Sequence, residues 1–75
     1  MNLAGNLTMM TLLVNGDSRE VPAGITLSDL VALLGLENRR LAAEINENLV
    51  PRSGYTTCRL EPGDRIEIIH AVGGG

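Results

Sequence analysis

Few residues of this chain could do chemistry. The sequence holds one cysteine, Cys58, and one histidine, His70. Nucleophilic catalysis needs a base beside the nucleophile and a third group to orient that base, and nothing in the pattern orders these two residues so. Cys58 reads as a small apolar residue and His70 as a strand histidine. Metal sites built from several Cys or His are excluded by the same counts. Asp17, Asp29 and Asp64 fall at turn or cap positions, where structure accounts for them.

The end of the chain is different. At an average glycine usage of about 7%, three in a row at a given terminus arise by chance on the order of a few times in ten thousand. Gly73-Gly74-Gly75 end the chain instead of opening a helix, so they are not a phosphate-binding loop. A tail without side chains can thread a channel in which any Cβ would collide. Its last group is a carboxylate, inert until ATP converts it to an acyl-adenylate that a sulfur nucleophile can attack. Gly75 is thus the candidate reacting group, and Gly73 and Gly74 are the thread that delivers it.

Composition narrows the partners. Seventy-five residues make one small domain, and a chain so short has a thin stability margin. No disulfide can staple it. Hydrophobic residues at 44% suffice for a core, which must be aliphatic because Tyr55 is the only aromatic residue. Six arginines, no lysines and nine carboxylates give a net charge of -3. That balance argues against nucleic acid and suits a soluble protein that meets a basic partner. Without lysine the chain cannot accept an isopeptide bond on its own side chains. No apolar run approaches the roughly 20 residues of a membrane span, and Met1 to Thr8 lack signal-peptide features. The cytoplasm is the expected compartment.

The elements that would hold the tail follow from period and punctuation. Residues 1–9 read as a disordered extension, residues 10–72 as the folded domain and 73–75 as a flexible tail. Thr11 to Asn15 and Ser18 to Val21 flank Asn15-Gly16, the strongest short hairpin signal. Thr26 predicts a helix N-cap, with Asp29 as the returning capping-box partner. Leu27, Leu30, Val31 and Leu34 form one apolar stripe, and Gly35 supplies the stop. Leu41 to Ile45 and Leu49-Val50 predict strands around a turn at Asn46-Glu47-Asn48, and Arg52 to Cys58 reads as irregular. Glu61-Pro62-Gly63-Asp64 is a type II turn before a last strand, Arg65 to Val72. The sum is an α+β domain, a sheet of four or five strands packed on one main helix. Strand parity points Ile66 and Ile68 inward with Leu12 and Val14. It leaves Leu13 and Ile69 outside as an exposed apolar patch, a docking surface for a partner that Ala71 and Val72 would continue toward the tail.

Several segments together resemble the ThiS family of sulfur carriers. They are Leu13-Val14-Asn15-Gly16, Thr26-Leu27-Ser28-Asp29-Leu30-Val31, Ala43-Glu44-Ile45-Asn46 and Leu49-Val50-Pro51-Arg52. Gly63 to Ile69, running into Ala71-Val72-Gly73-Gly74-Gly75, completes the set. The likeness covers about Met10 to Gly75. It implies a mixed-sheet, ubiquitin-like β-grasp fold and a protein cosubstrate rather than an enzyme, with no bound cofactor. The Gly75 carboxylate would be adenylated by a ThiF-type enzyme using ATP. It would then become a thiocarboxylate by way of a sulfur donor system and pass its sulfur to a ThiG-type thiazole synthase in thiamin biosynthesis. Met1 to Met9 and Cys58 depart from the pattern. The small subunit of molybdopterin synthase, a ubiquitin-like modifier and a plain binding module are the alternatives. An iron–sulfur ferredoxin is excluded, since its cluster needs four thiolates.

Overall fold

The computed structural model describes residues 8–70. In chain order the elements are β1 (Met9–Val14), β2 (Asp17–Pro22), α1 (Leu27–Leu33), β3 (Leu41–Ile45), β4 (Asn48–Val50) and β5 (Arg65–His70), with a 3-10 turn at Arg52–Gly54. The five strands form one sheet in the order β2-β1-β5-β3-β4. β1 and β5 run parallel, and every other neighbouring pair is antiparallel. The expected α+β sheet on one helix is therefore present, with five strands.

The first strand starts at Met9, two residues before the predicted start. Met9 pairs with Pro22, and the Ala23 amide donates to the Thr8 carbonyl at 2.8 Å. Thr8 and Met9 thus join the hairpin and not the extension. The alternation that ties Leu12 and Val14 to the core reaches back to Met10, which is buried as they are. Residues 1–7 lie outside the described residues, as do Ala71 and Val72 of the predicted last strand and the Gly73 to Gly75 tail.

Helix α1 is short, and its ends are closed by local chemistry. The Asp29 amide donates to Thr26 Oγ1 and the Thr26 amide to Asp29 Oδ2, a reciprocal capping box. The two remaining free amides of the first turn are met by the loop after β4. Leu27 donates to the Cys58 carbonyl at 2.8 Å and Ser28 to the Tyr55 carbonyl at 3.0 Å. At the other end the Gly35 amide reaches Ala32 and the Leu36 amide reaches Val31, both at 3.0 Å. Gly35 takes φ +74 there, the left-handed value that such a helix stop requires.

The core is aliphatic, as the composition demanded, with one exception. Leu12, Leu27, Leu30, Leu60 and Ile66 are fully buried, and Tyr55 is buried among them. The segment read as irregular therefore brings the single aromatic ring inward. It also sets Leu60 on the helix by antiparallel bonding to residues 25–26, with the Leu60 amide on the Ile25 carbonyl. Cys58 is half-buried and packs against this core.

Strand β5 has two special supports. Asn46, at φ +52 in the β3–β4 turn, accepts the Arg65 amide on Oδ1 at 3.0 Å, and its own amide donates to the Arg65 carbonyl at 2.8 Å. Asn15, at φ +51 in the β1–β2 turn, mirrors it on the other side. Its amide donates to the Ile66 carbonyl at 2.8 Å, and its Oδ1 accepts the Ile68 amide at 2.7 Å. In a parallel ladder a residue donates to one partner residue and accepts, through its carbonyl, from the residue two further on. Asn15 does this with its side chain, because its backbone has already turned away. Replacing Asn15 by Gly keeps the positive φ but removes the acceptor. We expect Asn15→Gly to cost about 1 kcal/mol in urea unfolding and to speed hydrogen exchange at the Ile68 amide. Unchanged exchange there would remove the strand-mimic role.

Candidate functional site

The outer face of the sheet carries the residues that could meet a partner. Parity along β5 turns Ile66 and Ile68 into the core and leaves Arg65, Glu67 and Ile69 facing out. On β1, Leu13 faces out between the buried Leu12 and Val14. Leu13 is 39% exposed and Ile69 57%. The face assignment from sequence therefore holds for both residues.

The two do not touch as one patch. Leu13 lies beside Arg65 in the β1–β5 register. Ile69 stands four residues further along β5, about 13 Å at the usual strand rise. Between these levels runs a row of three, Glu67 opposite Glu44 and Glu44 opposite Leu49. Two carboxylates directly opposite each other repel and weaken a sheet. Here they stand at the middle of a face whose large apolar members are Met9, Leu13, Ile69 and Leu49, the last 67% exposed. Leu49 escaped sequence reasoning because its side depends on the Asn46-Glu47 turn, where both residues take positive φ. Once that turn is fixed, parity gives the answer.

At the end of β5 the face runs into an open cleft of about 480 Å³, lined by Arg40, Leu41, Ala42, Arg52, Ile69 and His70. Ala42 pairs with Ile69 and Leu41 with His70, so the floor is the last part of the β3–β5 ladder. The Arg52 guanidinium on the rim is tied down. It donates to the Arg39 and Glu37 carbonyls, each at 3.1 Å, and lies 5.5 Å from the Tyr55 ring centre. No local pattern announces this, since the carbonyl partners are 13 and 15 residues away. His70 is exposed at the end of β5, whereas Cys58 is half-buried against the core, with its carbonyl on the first turn of α1. The structure does not bring them together as a catalytic pair.

A model described as the ThiS family matches residues 12–75. The chain belongs to the ThiS family. It is 40% identical over 50 residues to the "Sulfur carrier protein ThiS" of Bacillus subtilis, covering 67% of this chain and 76% of that one. A crystal structure of the thiamine biosynthesis protein ThiS from Geobacter metallireducens superposes with a TM-score of 0.76 at 25% identity. It covers 88% of this chain and all of that one, and the fold is thus the β-grasp of ThiS proteins. A "Thiazole synthase" of Paramagnetospirillum magneticum is 38% identical over 66 residues, which is 88% of this chain but 20% of the relative. The chain spans about a fifth of the length of the thiazole synthases it matches. ThiS-family membership leaves the predicted reacting group, Gly75, and the thread of Gly73 and Gly74 outside the described residues, together with Ala71 and Val72.

The face assignment generates a sharp contrast between neighbours. Ile69→Asp and Leu13→Asp should each change the urea unfolding free energy by only about 0.5 kcal/mol. Ile68→Asp, one residue away, should cost about 3 kcal/mol or more by burying a carboxylate without a partner. Similar losses for Ile68→Asp and Ile69→Asp would reverse the assignment of faces.

Proposed function

We propose that this chain is a sulfur carrier of thiamin biosynthesis, working through the Gly75 carboxylate. The observation that carries the reading is a ThiS-family β-grasp domain whose last strand, held on both sides by asparagines, is followed in the sequence by Ala71-Val72-Gly73-Gly74-Gly75. Five residues follow His70, so the carboxylate lies within about 17 Å of the strand's end. That reach lets a reacting group enter a partner's active site while the folded domain stays outside.

In the first step a Gly75 carboxylate oxygen attacks the α-phosphorus of ATP and pyrophosphate leaves. A sulfur nucleophile then adds to the carbonyl carbon of the acyl-adenylate and AMP leaves. Hydrosulfide as the nucleophile gives the thiocarboxylate directly. With a persulfide donor the product is an acyl disulfide, whose S–S bond a second thiol cleaves. That thiol forms a disulfide with the donor sulfur and leaves the thiocarboxylate, which passes its sulfur to a thiazole synthase. Adenylation belongs to a ThiF-type enzyme, sulfur addition to the donor system that works with it and the final transfer to a ThiG-type synthase, and this chain is their shared cosubstrate. The relatives named thiazole synthase support the second partner, since a segment like this chain lies within them. We assign partner docking to Leu13 and Ile69 of the outer face, together with Ala71 and Val72, which follow His70 in the sequence. Gly73 and Gly74 thread the partner's channel.

The test is an intact mass after incubation with the adenylating enzyme, ATP and a sulfur source, followed by alkylation. Alkylation separates a thiocarboxylate from methionine oxidation, which is nearly isobaric, and Cys58→Ser removes the competing thiol. We expect one ATP-dependent label on the Cys58→Ser chain, lost when Gly75 is deleted and reduced in Gly75→Ala. Ile69→Asp should weaken partner binding without unfolding the chain. An unlabelled chain beside a demonstrably active enzyme would instead favour a protein modifier or a plain binding module.

A further inference from the structure

The carrier reading uses the outer face and the tail, but not the two arginines at the root of the tail. Arg40 and Arg52 line a cleft whose apolar floor is the outward-facing pair Ala42 and Ile69, and the cleft opens beside Leu41 and His70, the last described residue. An apolar floor under two cations is not the surface of a solvated charge run. Arg52 in particular is held by two carbonyls and an aromatic ring. A guanidinium fixed in this way loses little freedom when a ligand arrives. The two carbonyl bonds use two of its five N–H donors, which leaves donors for an incoming acceptor.

The charge pattern indicates what the ligand is. The chain as a whole is acidic, at -3, and the acidic pair of the outer face, Glu44 and Glu67, lies one level up the sheet. Arg40 and Arg52 line the cleft and no carboxylate among the described residues does, while the backbone that holds Arg52 belongs to Glu37 and Arg39, one charge of each sign. We infer that the cleft seats a segment of a partner protein in which a carboxylate stands beside an apolar side chain. The apolar side chain packs on Ala42 and Ile69, and the carboxylate meets Arg40 and Arg52. This deepens the carrier reading and rests on it for the partner's identity as the adenylating enzyme. A segment in the cleft would sit beside His70, the last described residue, and so bias the direction taken by the residues that follow it. Complementary charge of this kind sets orientation and selects against wrong partners more than it adds affinity.

The test uses the full chain labelled with nitrogen-15 and a short synthetic peptide of alternating glutamate and leucine. Amide shifts are expected at Ala42, Ile69 and His70. They should be absent with a peptide of alternating arginine and leucine, and binding should be about 10-fold weaker in Arg40→Glu. Arg40 is exposed, so this variant keeps the fold. Arg52→Lys, which cannot form the same planar fork, should also weaken binding. Equal shifts with the basic peptide, or none with the acidic one, overturn the inference. Shifts at the same amides with AMP but not with the acidic peptide would show a free-anion site and overturn it as well. The titration does not involve Gly75, so the two readings fail separately. A chain that takes the Gly75 label but ignores the acidic peptide loses the cleft and keeps the carrier function. A chain that binds the peptide and takes no label loses the carrier function alone.

Discussion

Strand β5 is held at its start by two asparagines in the left-handed conformation, one on each side, and the central place of that strand in the sheet depends on this grip. Asn46 binds both backbone groups of Arg65, and Asn15 binds Ile66 and Ile68. The parallel β1–β5 contact has only two paired residues, Leu13 with Arg65 and Val14 with Ile66. Without the Asn15 side chain it would end at Ile66. A strand that bears a tail has to resist being pulled or twisted when the tail is engaged. Each of the two turns supplies this resistance by spending a side chain on the neighbouring strand instead of on its own loop.

The turns are therefore more than connectors. Asn-Gly at 15–16 was legible as a hairpin from residue types alone, because both residues tolerate positive φ. That its amide oxygen would also complete a ladder 53 residues away could not be read locally. The same limit explains Arg52, whose carbonyl partners lie across the fold. It explains Tyr55 too, the buried centre of a segment without period. Where the sequence repeats a local rule, as in the capping box of Thr26 and Asp29 or the stripe of Leu27, Leu30 and Val31, the reading and the structure agree. Non-local partners leave no local trace.

The candidate site divides along the same line. Inside-outside parity on β1 and β5 placed Leu13 and Ile69 correctly on the solvent face, since a period of two needs only one correct anchor. Their separation by about 13 Å required the register of two parallel strands, which no alternation encodes. The face that results is graded and not uniform. Apolar residues stand at Met9, Leu13, Leu49 and Ile69, carboxylates face each other at its centre, and arginines stand at both ends, Arg65 beside Leu13 and Arg40 and Arg52 at the cleft. A partner that fits must match this order of charges, and that is a stronger filter than a single apolar patch would be.

Asn15-Gly16 is also the dipeptide in which an asparagine amide is most easily lost, because the glycine nitrogen has no side chain to hinder its attack on the amide carbon. In this fold that amide is held at 2.7 Å by Ile68, and a side chain so fixed is not free to swing onto the next nitrogen. Chemical ageing of Asn15 must wait for β5 to loosen. Aspartate, one product, would still offer an oxygen to Ile68, but isoaspartate, with one more carbon in the backbone, would carry the acceptor out of place. The slow loss of one amide would then act as a clock, recording over days how often the tail-bearing strand lets go.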